Sequence, residues 1–433
     1  MQSVSIFWFR RDLRITDNHG LWAALKGDNP VLPLFIFDPT ILERLEDHRD
    51  ARVEFIHNSL SELKSNIQKQ GGDLCVLHAQ PLEAFKNLQS QYTIRAIYAN
   101  HDYEKYGCDR DDVIMRWAES QQIKFHTYKD QAIFEKNEVL SGQGTPYTVF
   151  TPYSRKWKER LRTEPIVQFP SEELQNYLSA KFDILSLESI GFESAGLAFS
   201  KPTVADDLIR NYGERRDFPA LPGTSRLSVH LRFGTVSIRS LVLQAIGKSE
   251  VWLNELIWRD FYFNILHHFP HISTGHAFRK EYDRMEWRNN EEEFDAWKQG
   301  QTGYPIVDAG MRELNSTGFM HNRVRMIVAS FLVKHLLIDW RWGEAYFAAK
   351  LVDFDFSANN GGWQWAAGSG CDAAPYFRVF NPTLQTKKFD GELAYIRKWV
   401  PEFQELSYAK PIVNHEFARE RVLAAYKKAL AKV

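Results

Sequence analysis

The sequence is poor in cysteine, with three among its 433 residues: Cys75, Cys108 and Cys371. They are far apart and lack the spacing of a metal site, which predicts reduced thiols in a cytoplasmic protein. Long apolar stretches are also missing, since residues 326–337 are interrupted by a lysine and a histidine and are too few to span a bilayer. The first residues lack the pattern of a secretory signal. We therefore expect neither a membrane protein nor a secreted one.

Excess charge is absent too, because 54 Lys and Arg face 55 Asp and Glu, a net charge of −1. This balance excludes a general polycation but allows a local basic groove. A G-x-G-x-x-G turn is missing after the first predicted strand, which argues against a nicotinamide dinucleotide site there. With 44% hydrophobic and 25% charged residues, the composition is that of a globular protein of two or three domains.

What the sequence has in unusual number is tryptophan, with 13 residues. Most of them lie between Trp252 and Trp399. Trp340 and Trp342 are two residues apart, as are Trp363 and Trp365, so on a helix the two indoles of each pair point to opposite faces. We expect one indole of each pair inside the protein and the other towards a cavity or solvent.

The first 130 residues alternate short apolar runs with helical patterns, which predicts a doubly wound parallel sheet. The predicted strands are 4–9, 31–37, 74–78, 96–99 and 123–128. The predicted helices are 17–25, 49–70, 82–90 and 110–120.

Residues 131–200 contain several prolines and little periodicity, which predicts a long connector. From residue 201 onward strand signals fade and helical periodicity prevails, for example in 250–269 and 322–339. We expect three parts: an α/β domain at 1–130, a connector at 131–200 and an all-helical domain at 201–433.

Two segments of the second half have alternative interpretations. The run Thr224, Ser225, Arg226, Leu227, Ser228 precedes a helix, and its hydroxyls and arginine suit a pyrophosphate. Taken alone, the run is more typical of an ordinary N-cap turn. In the predicted helix at 250–269, Glu255 and Arg259 are four residues apart, and the ordinary interpretation is a solvated ion pair. Because Trp252 and Trp258 flank them, a lined cavity is the sharper interpretation.

Polar residues recur at helical spacing further along the chain. Asn322, Arg325 and Met326 lie on one side of a predicted helix. The alternative interpretation of this segment is an ordinary basic helix start that packs on the core. Asp353 and Asp355 alternate, but no third ligand at a matching interval supports a metal site. Hydrogen bonding of these acids to a heterocycle, with Arg325 as counter-ion, is the favoured interpretation.

Together these residues resemble the DNA photolyase/cryptochrome family, most closely the class I cyclobutane-dimer photolyases. The resemblance covers nearly the whole chain and is carried by the motifs at 7–14, 148–153, 303–308 and 359–365. It implies an FAD in the helical domain, with Asn359 beside flavin N5. The cofactor contacts that the resemblance implies are Tyr212, Thr224, Ser225, Arg226, Leu227, Ser228, Trp252, Arg325, Asp353, Phe354, Asp355 and Asn359.

The resemblance also implies light-driven repair, in which excited reduced FAD gives an electron to a flipped-out pyrimidine dimer. By the same resemblance, the expected electron-relay tryptophans are Trp363, Trp340 and Trp287. The expected catalytic walls of the dimer cavity are Glu255, Trp258, Met326, Trp365 and Asn359. The expected DNA contacts are Arg216, Glu255, Trp258, Arg259, Tyr262, Asn322, Arg323, Arg378 and Gln385. No metal is expected, the partner is DNA that contains pyrimidine dimers, and the protein is expected to be a monomer.

Departures from the family pattern leave alternatives open. The run at 103–107 lacks the Asn-Glu pair of members with a pterin antenna, so a deazaflavin, FMN or no second chromophore remains open. A (6-4) photoproduct photolyase usually has a second histidine where this chain has Asn322. A cryptochrome photoreceptor is the other alternative, although plant-type receptors tend to have Asp at the position of Asn359.

Overall fold

The computed structural model describes residues 1–431 and contains one parallel five-stranded sheet in the order β3-β2-β1-β4-β5. All seven residues of the second strand are buried, as expected where helices cover both faces of a sheet. The strands are β1 (Ser3–Phe9), β2 (Val31–Phe37), β3 (Cys75–His78), β4 (Thr93–Asn100) and β5 (Lys124–Tyr128). The predicted doubly wound sheet is confirmed.

Helices with conventional starts connect the strands. Asn18 caps the first helix by accepting from the backbone N–H of Leu21, and Asp50 caps the third by accepting from that of Arg52. The helices are α1 (His19–Leu25), α2 (Pro39–Leu42), α3 (Ala51–Gln68), α4 (Pro81–Gln91) and α5 (Lys105–Ser120). Four of the five agree with the predicted helices, and the four-residue α2 was not predicted.

The chain divides into two compact units. Unit 1 comprises Met1–Val139, Trp157–Val204 and Arg226–Gly247. Unit 2 comprises Leu140–Lys156, Ala205–Ser225 and the described chain from Lys248 on. The division into three parts stays a prediction. In the structure, residues 226–247 pack within unit 1.

Residues 131–200 include a helix that the sequence did not predict, α6 (Phe150–Thr163). Its Pro152 lies in the first helical turn, where a missing backbone N–H breaks no intrahelical hydrogen bond. Two short helices of unit 1 follow later in the chain, α8 (Ser228–Phe233) and α9 (Ile238–Ala245).

Unit 2 is helical, and within the described chain from residue 201 on no strand is present. Its helices are α7 (Asp206–Arg215), α10 (Glu250–His268), α11 (Glu291–Gln299), α12 (Pro305–Thr317), α13 (Asn322–Ser330), α14 (Trp340–Lys350), α15 (Phe356–Ala367), α16 (Pro382–Phe389), α17 (Ala394–Trp399) and α18 (His415–Leu430). A π-helical turn, Phe331–Leu336, continues α13. The predicted all-helical character is confirmed.

Helices α14 and α15 pack closely because Gly343 has no side chain. A Cβ at Gly343 would collide with the indole of Trp363. Trp363 belongs to the large apolar core of unit 2, which also includes Trp297 and Trp340. The glycine therefore sets where the Trp363 indole lies between the two helices. None of the helices within residues 1–431 is both long and apolar enough to cross a lipid bilayer.

Candidate active site

A cavity of about 220 Å³ lies among α10, α13, α14 and α15. It joins polar side chains with an apolar wall, as binding sites for flat organic molecules usually do. The lining residues are Tyr262, Asn322, Arg325, Met326, Ala329, Phe347, Leu351, Asp353, Phe354, Asp355, Ala358, Asn359, Gly362 and Trp363. Most of them are residues that the sequence predicted for the site.

One wall of the cavity is the start of α13. Asn322, Arg325 and Met326 all line the cavity, which confirms that they share one side of the helix. His321 caps this helix, with its Nδ1 accepting from the backbone N–H of Arg323 at 3.2 Å. Burial, together with the nearby Arg325, lowers the pKa of His321 to about 4. The capping imidazole is therefore neutral and able to accept at neutral pH.

The most deeply placed charge of the cavity is the carboxylate of Asp353, whose side chain is only 3% exposed. Arg325 donates to its Oδ2 at 2.8 Å and to the carbonyl oxygen of Met320 at the same distance. The other oxygen, Oδ1, is buried and has no hydrogen-bond partner within residues 1–431. Since buried acceptors are rarely left unpaired, this oxygen marks a place for a ligand donor.

Asp355 also lines the cavity, and it has a structural role that was not predicted from the sequence. Its Oδ1 accepts from the backbone N–H of Ser357 at 3.0 Å and from the Ser357 hydroxyl at 2.5 Å. It thereby caps α15 at its N-terminus. No three His, Cys, Asp or Glu side chains converge on a metal position anywhere in the described chain.

The amide of Asn359 has a fixed orientation. Its Nδ2 donates to the main-chain oxygen of Glu344 at 3.1 Å and to Oε1 of the same residue at 3.0 Å. A main-chain carbonyl only accepts, so the nitrogen must face Glu344. The amide oxygen then remains as an acceptor. Glu344, which orients it, was not predicted, because a lone glutamate on a helix carries no recognisable pattern.

The apolar part of the lining was missed in the sequence because aliphatic and aromatic residues at helical spacing also predict ordinary core. These residues are Ala329, Phe347, Leu351 and Ala358. Gly362 was predicted only as part of a motif. A Cβ built there meets no atom within 4 Å, so the missing side chain widens the cavity.

A chain of charged groups leads from the cavity to the predicted dimer-binding residues. Arg323 Nη1 lies 3.7 Å from the sulfur of Met326, and its Nη2 donates to Asp217 at 2.7 Å. Arg216, which precedes Asp217 in the chain, pairs with the carboxylate of Glu255. Burial raises the pKa of Glu255, and the Arg216 guanidinium opposes that shift.

Trp258 stacks on an aromatic residue that the sequence did not assign to the site. The rings of Trp258 and Phe150 are parallel, with centroids 3.8 Å apart. Trp258 also lies 5.5 Å from the ring of Tyr262, which lines the cavity. Phe150 lies within the motif at 148–153, but a single phenylalanine does not by itself indicate a binding site.

The other predicted residues lie outside the cavity lining. Arg378 is exposed, with its guanidinium 6.0 Å from the ring centre of Trp365. Arg259 lies over the ring of Phe263 at 4.6 Å. Tyr212 lies under the guanidinium of Arg216. The other predicted site residues of unit 2 that do not line the cavity are Thr224, Ser225, Trp252, Trp287, Trp340 and Gln385.

Three predicted cofactor residues belong to unit 1, namely Arg226, Leu227 and Ser228. Arg226 has a positive φ of 52°, and its carbonyl oxygen accepts from the hydroxyl of Ser200 at 2.8 Å. Leu227 immediately precedes α8, which begins at Ser228.

The tryptophan pairs follow the prediction that their indoles face different surroundings. Trp340 and Trp363 are each 2% exposed. Their partners Trp342 and Trp365 are half-buried. The helical spacing of two residues therefore separates an inner from an outer indole in both pairs.

Comparison with known proteins gives matches along most of the chain. The family model for the FAD binding domain of DNA photolyase matches residues 252–407, and the DNA photolyase model matches residues 5–172. The deoxyribodipyrimidine photo-lyase of a Synechococcus species is 38% identical over 478 residues, covering 100% of this chain and 98% of that protein.

Solved structures give the same result. A bacterial class III photolyase from Agrobacterium tumefaciens has a TM-score of 0.88 at 33% identity, covering 99% of this chain and 98% of that one. An archaeal photolyase from Sulfolobus tokodaii, solved with two FAD molecules, has a TM-score of 0.85 at 36% identity, covering 99% and 100%. The chain belongs to the DNA photolyase family.

Proposed function

We propose that this protein uses light to split cyclobutane pyrimidine dimers in DNA, with FAD as its cofactor. The observation that carries the proposal is the cavity in which Arg325–Asp353, the Asn359 amide and the Trp363 indole meet. When bound and reduced, FAD supplies the electron that opens the dimer and recovers it afterwards, so the reaction has no net oxidation. The residues of the chain bind, orient and supply electrons.

The cavity fits a flavin ring at its polar end. The free Oδ1 of Asp353 is an acceptor for a ring N–H, while Arg325 balances the buried negative charge. The open space at Gly362 allows a flat ring to approach the backbone of α15. Phe354 and Asp355 complete this end of the cavity.

Asn359 is proposed to act beside flavin N5. Because Glu344 holds the amide nitrogen, the amide oxygen is the atom offered to the ligand. An acceptor there favours a ring nitrogen that carries a hydrogen, as it does in reduced flavin. The neutral amide also adds no negative charge next to a reduced, anionic ring.

We assign the supply of electrons to Trp363, Trp340 and Trp287. Trp363 lines the cavity, and Trp287 is half-buried at the edge of the unit 2 core. Indoles lose an electron more readily than other side chains of the core, so spaced indoles carry oxidation outward. The relay keeps the cofactor reduced for repair.

The flipped-out dimer is proposed to lie beside Glu255, Trp258, Asn322, Met326 and Trp365. Phe150 stacks on Trp258 and fixes the plane of its indole. A base that stacks on this indole regains part of the stacking lost on flipping. Burial raises the pKa of Glu255, which favours its protonated, hydrogen-donating form relative to a solvated glutamate. A donor at this position stabilises the extra charge on the dimer after electron transfer.

DNA outside the dimer is proposed to contact a set of mostly basic side chains. Arg216 and Arg323 are held by Glu255 and Asp217, so these carboxylates place the two guanidinium groups before DNA arrives. The proposed set is Arg216, Arg259, Tyr262, Arg323, Arg378 and Gln385.

The pyrophosphate and adenosine part of FAD is assigned to Tyr212, Trp252 and the run from Thr224 through Ser225, Arg226, Leu227 and Ser228.

A repair assay tests this function. Purified protein with its flavin reduced chemically is mixed with DNA that contains thymine dimers and illuminated with blue light. We expect dimers to disappear in the light and not in the dark, and Glu255→Ala to slow the loss while Arg215→Ala, in the adjacent exposed ion pair with Asp207, does not. Protein that holds FAD and fails to repair would favour the photoreceptor alternative.

A second chromophore has a candidate site in unit 1. A cavity of about 300 Å³ there includes the rings of Phe55, Phe199 and His230 and the polar side chains of Asn58 and Glu62. Aromatic walls with a few polar groups suit a planar pterin, deazaflavin or FMN, and the identity stays open. Absorption bands beyond those of FAD in purified protein, lost in Phe199→Ala, would support this site.

We also propose that the protein acts as a monomer in the cytoplasm. The three cysteines are free thiols, as expected in a reducing compartment. Sedimentation of the FAD-loaded protein tests the monomer, and fractionation of the source cells tests the location.

A further inference from the structure

The ion pair of Arg216 and Glu255 joins two distant segments of unit 2 at the proposed dimer site. Arg216 directly follows α7, and its Nη1 donates to Oε1 of Glu255 on α10. The two side chains are 22% and 32% exposed, so the pair can be reached from solvent. Arg259, the partner that spacing suggested for Glu255, instead lies over the ring of Phe263 at 4.6 Å. The charge on Glu255 is therefore balanced by a residue that an outside anion can also reach.

Arg216 is held in place by more than this one carboxylate. Its guanidinium lies 5.2 Å from the centre of the Tyr212 ring, a cation–π contact. Its Nε is 3.9 Å from Oδ1 of Asp217, but that oxygen accepts from Arg323 at 2.7 Å. Glu255 is thus the closer acid of Arg216, and Asp217 that of Arg323. Since a guanidinium has five N–H donors and Arg216 uses only Nη1 in its hydrogen bond within residues 1–431, a second anion can bind to it.

The other groups around Glu255 disfavour a negative charge on it. Burial raises the pKa of Glu255, the guanidinium of Arg216 opposes this shift, and the carboxylate of Asp217 adds to it. Tyr212 on α7 and Tyr262 on α10 are phenols whose pKa burial raises, so both are neutral at neutral pH. Helix α15, which also packs on α10, has no ionisable side chain, and the turn after α10 lies at the opposite end of that helix. Without Arg216, the surroundings of Glu255 therefore favour its neutral form.

We infer that DNA draws Arg216 away from Glu255 and that Glu255 then takes up one proton. The inference rests on the proposed binding of a dimer at this site. A backbone phosphate carries a full negative charge and pairs with a guanidinium in the same two-pronged way as a carboxylate. Arg216 keeps its proton and its charge, which now faces the phosphate. One proton moves from the buffer to a carboxyl oxygen of Glu255, and no other covalent bond forms or breaks.

The exchange gives the carboxyl group of Glu255 a different role in each state. In the free protein its charged form holds Arg216 next to the site. In the complex its protonated form is a hydrogen-bond donor, which stabilises the extra charge on the dimer after electron transfer. Asp217 keeps Arg323 in place in both states, so one arginine changes partner while the other stays fixed.

Proton uptake on DNA binding tests the exchange. FAD-loaded protein with oxidised flavin is saturated in the dark with a short duplex that contains one thymine dimer. Calorimetry in buffers of different ionisation enthalpy, between about pH 5 and 8 and so above the ordinary glutamate pKa, counts the protons taken up. We expect wild type to take up more protons per duplex than Glu255→Gln, by at most one. Arg216→Leu should take up fewer than wild type, because its Glu255 has already lost the cation.

The matched control is Glu214→Gln. Glu214 is exposed on α7 outside the pair, so its removal should leave the uptake as in wild type. FAD content checks that each variant is folded.

An infrared measurement identifies the group that is protonated. The difference spectrum between the complex and its separate components should contain the carbonyl band of a protonated carboxyl, and Glu255→Gln should lack it. The same uptake in wild type and Glu255→Gln, undiminished uptake in Arg216→Leu, or a carboxyl band that persists in Glu255→Gln would each overturn the exchange. Protein that takes up the proton but repairs no dimer in the light would instead contradict the proposed function.

Discussion

The side-chain amide of Asn359 donates to Glu344 twice, to the main-chain oxygen at 3.1 Å and to Oε1 at 3.0 Å. Two acceptors from one residue leave the amide a single orientation. Burial raises the pKa of Glu344, although the hydrogen bond from Asn359 opposes the shift. The orientation of the group proposed beside flavin N5 therefore depends on a residue of the neighbouring helix α14.

The first prediction concerns this orientation. Glu344→Leu removes the Oε1 acceptor and leaves only the main-chain oxygen to hold the amide nitrogen. The amide oxygen is then held less firmly towards the reduced ring, so the midpoint potential of bound FAD should fall by the equivalent of at most about 1 kcal/mol. Glu344→Gln keeps an acceptor oxygen and should stay close to wild type. Spectroelectrochemical titration measures both. The same potential in the two variants would show that Glu344 does not set the amide.

The second prediction concerns the ion pair of Arg325 and Asp353. Arg325→Met leaves a carboxylate that is only 3% exposed without its partner. Because the arginine side chain is itself 26% exposed, we expect a loss of roughly 2–3 kcal/mol in the free energy of unfolding, less than for a fully buried pair. FAD binding should weaken as well.

The matched control for that pair is Arg215→Met. Arg215 and Asp207 form an exposed pair, with side chains 47% and 75% accessible. Such pairs contribute little, so urea unfolding should change by less than about 1 kcal/mol. Equal losses in Arg325→Met and Arg215→Met would contradict a special role for the buried carboxylate.

The fold could be predicted from sequence because its signals are local. Apolar runs and helical periodicity located β1 to β5 and the long helices. The side of α13 that carries Asn322, Arg325 and Met326 followed from spacing alone. The helix at Phe150–Thr163 was missed, since its proline lies where a helix tolerates it.

The site could be predicted only in part because its contacts join distant segments. The resemblance led to Asp353 and Arg325, which meet across 28 residues. Neither spacing nor resemblance indicated that Glu255 pairs with Arg216, 39 residues earlier. Apolar lining residues such as Phe347 have no signature that separates a cavity wall from ordinary core.

A third prediction follows from the pair of Arg216 and Glu255. Arg216 opposes the upward shift that burial gives the pKa of Glu255. Arg216→Leu should therefore raise this pKa further. If the repair rate changes with pH because Glu255 titrates, that change, the Glu255 limb of the pH profile, should move to higher pH. The rate of chemically reduced protein is measured across pH 4 to 8, a range set about the ordinary glutamate pKa.

Two variants distinguish this shift from a general loss of structure. Glu255→Gln has no ionisable group and should lack the limb altogether. Arg215→Leu, one residue away but outside the pair, should leave the limb where it is. A limb that persists unchanged in Glu255→Gln would assign it to another group.

The fourth prediction uses the buried Lys334, which is 1% exposed. Its ammonium nitrogen donates to the carbonyl oxygen of Ala367 at 3.1 Å and lies 3.9 Å from the centre of the Tyr426 ring. Burial nevertheless lowers the pKa of Lys334 to about 7. The unfolded chain, with an ordinary lysine, then binds more protons than the folded protein above that pH.

The sign of the stability change follows from this difference. Above pH 7 and up to the ordinary lysine pKa, this group makes stability rise with pH by at most about 1.4 kcal/mol per unit. Lys334→Met lacks the contribution, so its advantage over wild type should be largest near pH 7 and shrink towards pH 10. Urea unfolding at several pH values measures it, with the exposed Lys427→Met as the control. A difference independent of pH would show that Lys334 stays charged.

The last prediction concerns Arg378, an exposed arginine beside the ring of Trp365. Within residues 1–431 it forms no ion pair, unlike Arg216 and Arg323, so it is free to bind a phosphate. Arg378→Ala should weaken DNA binding and reduce the slope of log K against log salt by about 0.9, the value for one phosphate contact. The exposed Arg419→Ala on α18 should leave the slope unchanged. If both variants changed the slope equally, the overall charge of this nearly neutral protein would explain DNA binding. A change in Arg378→Ala alone would show that a phosphate binds locally beside Trp365.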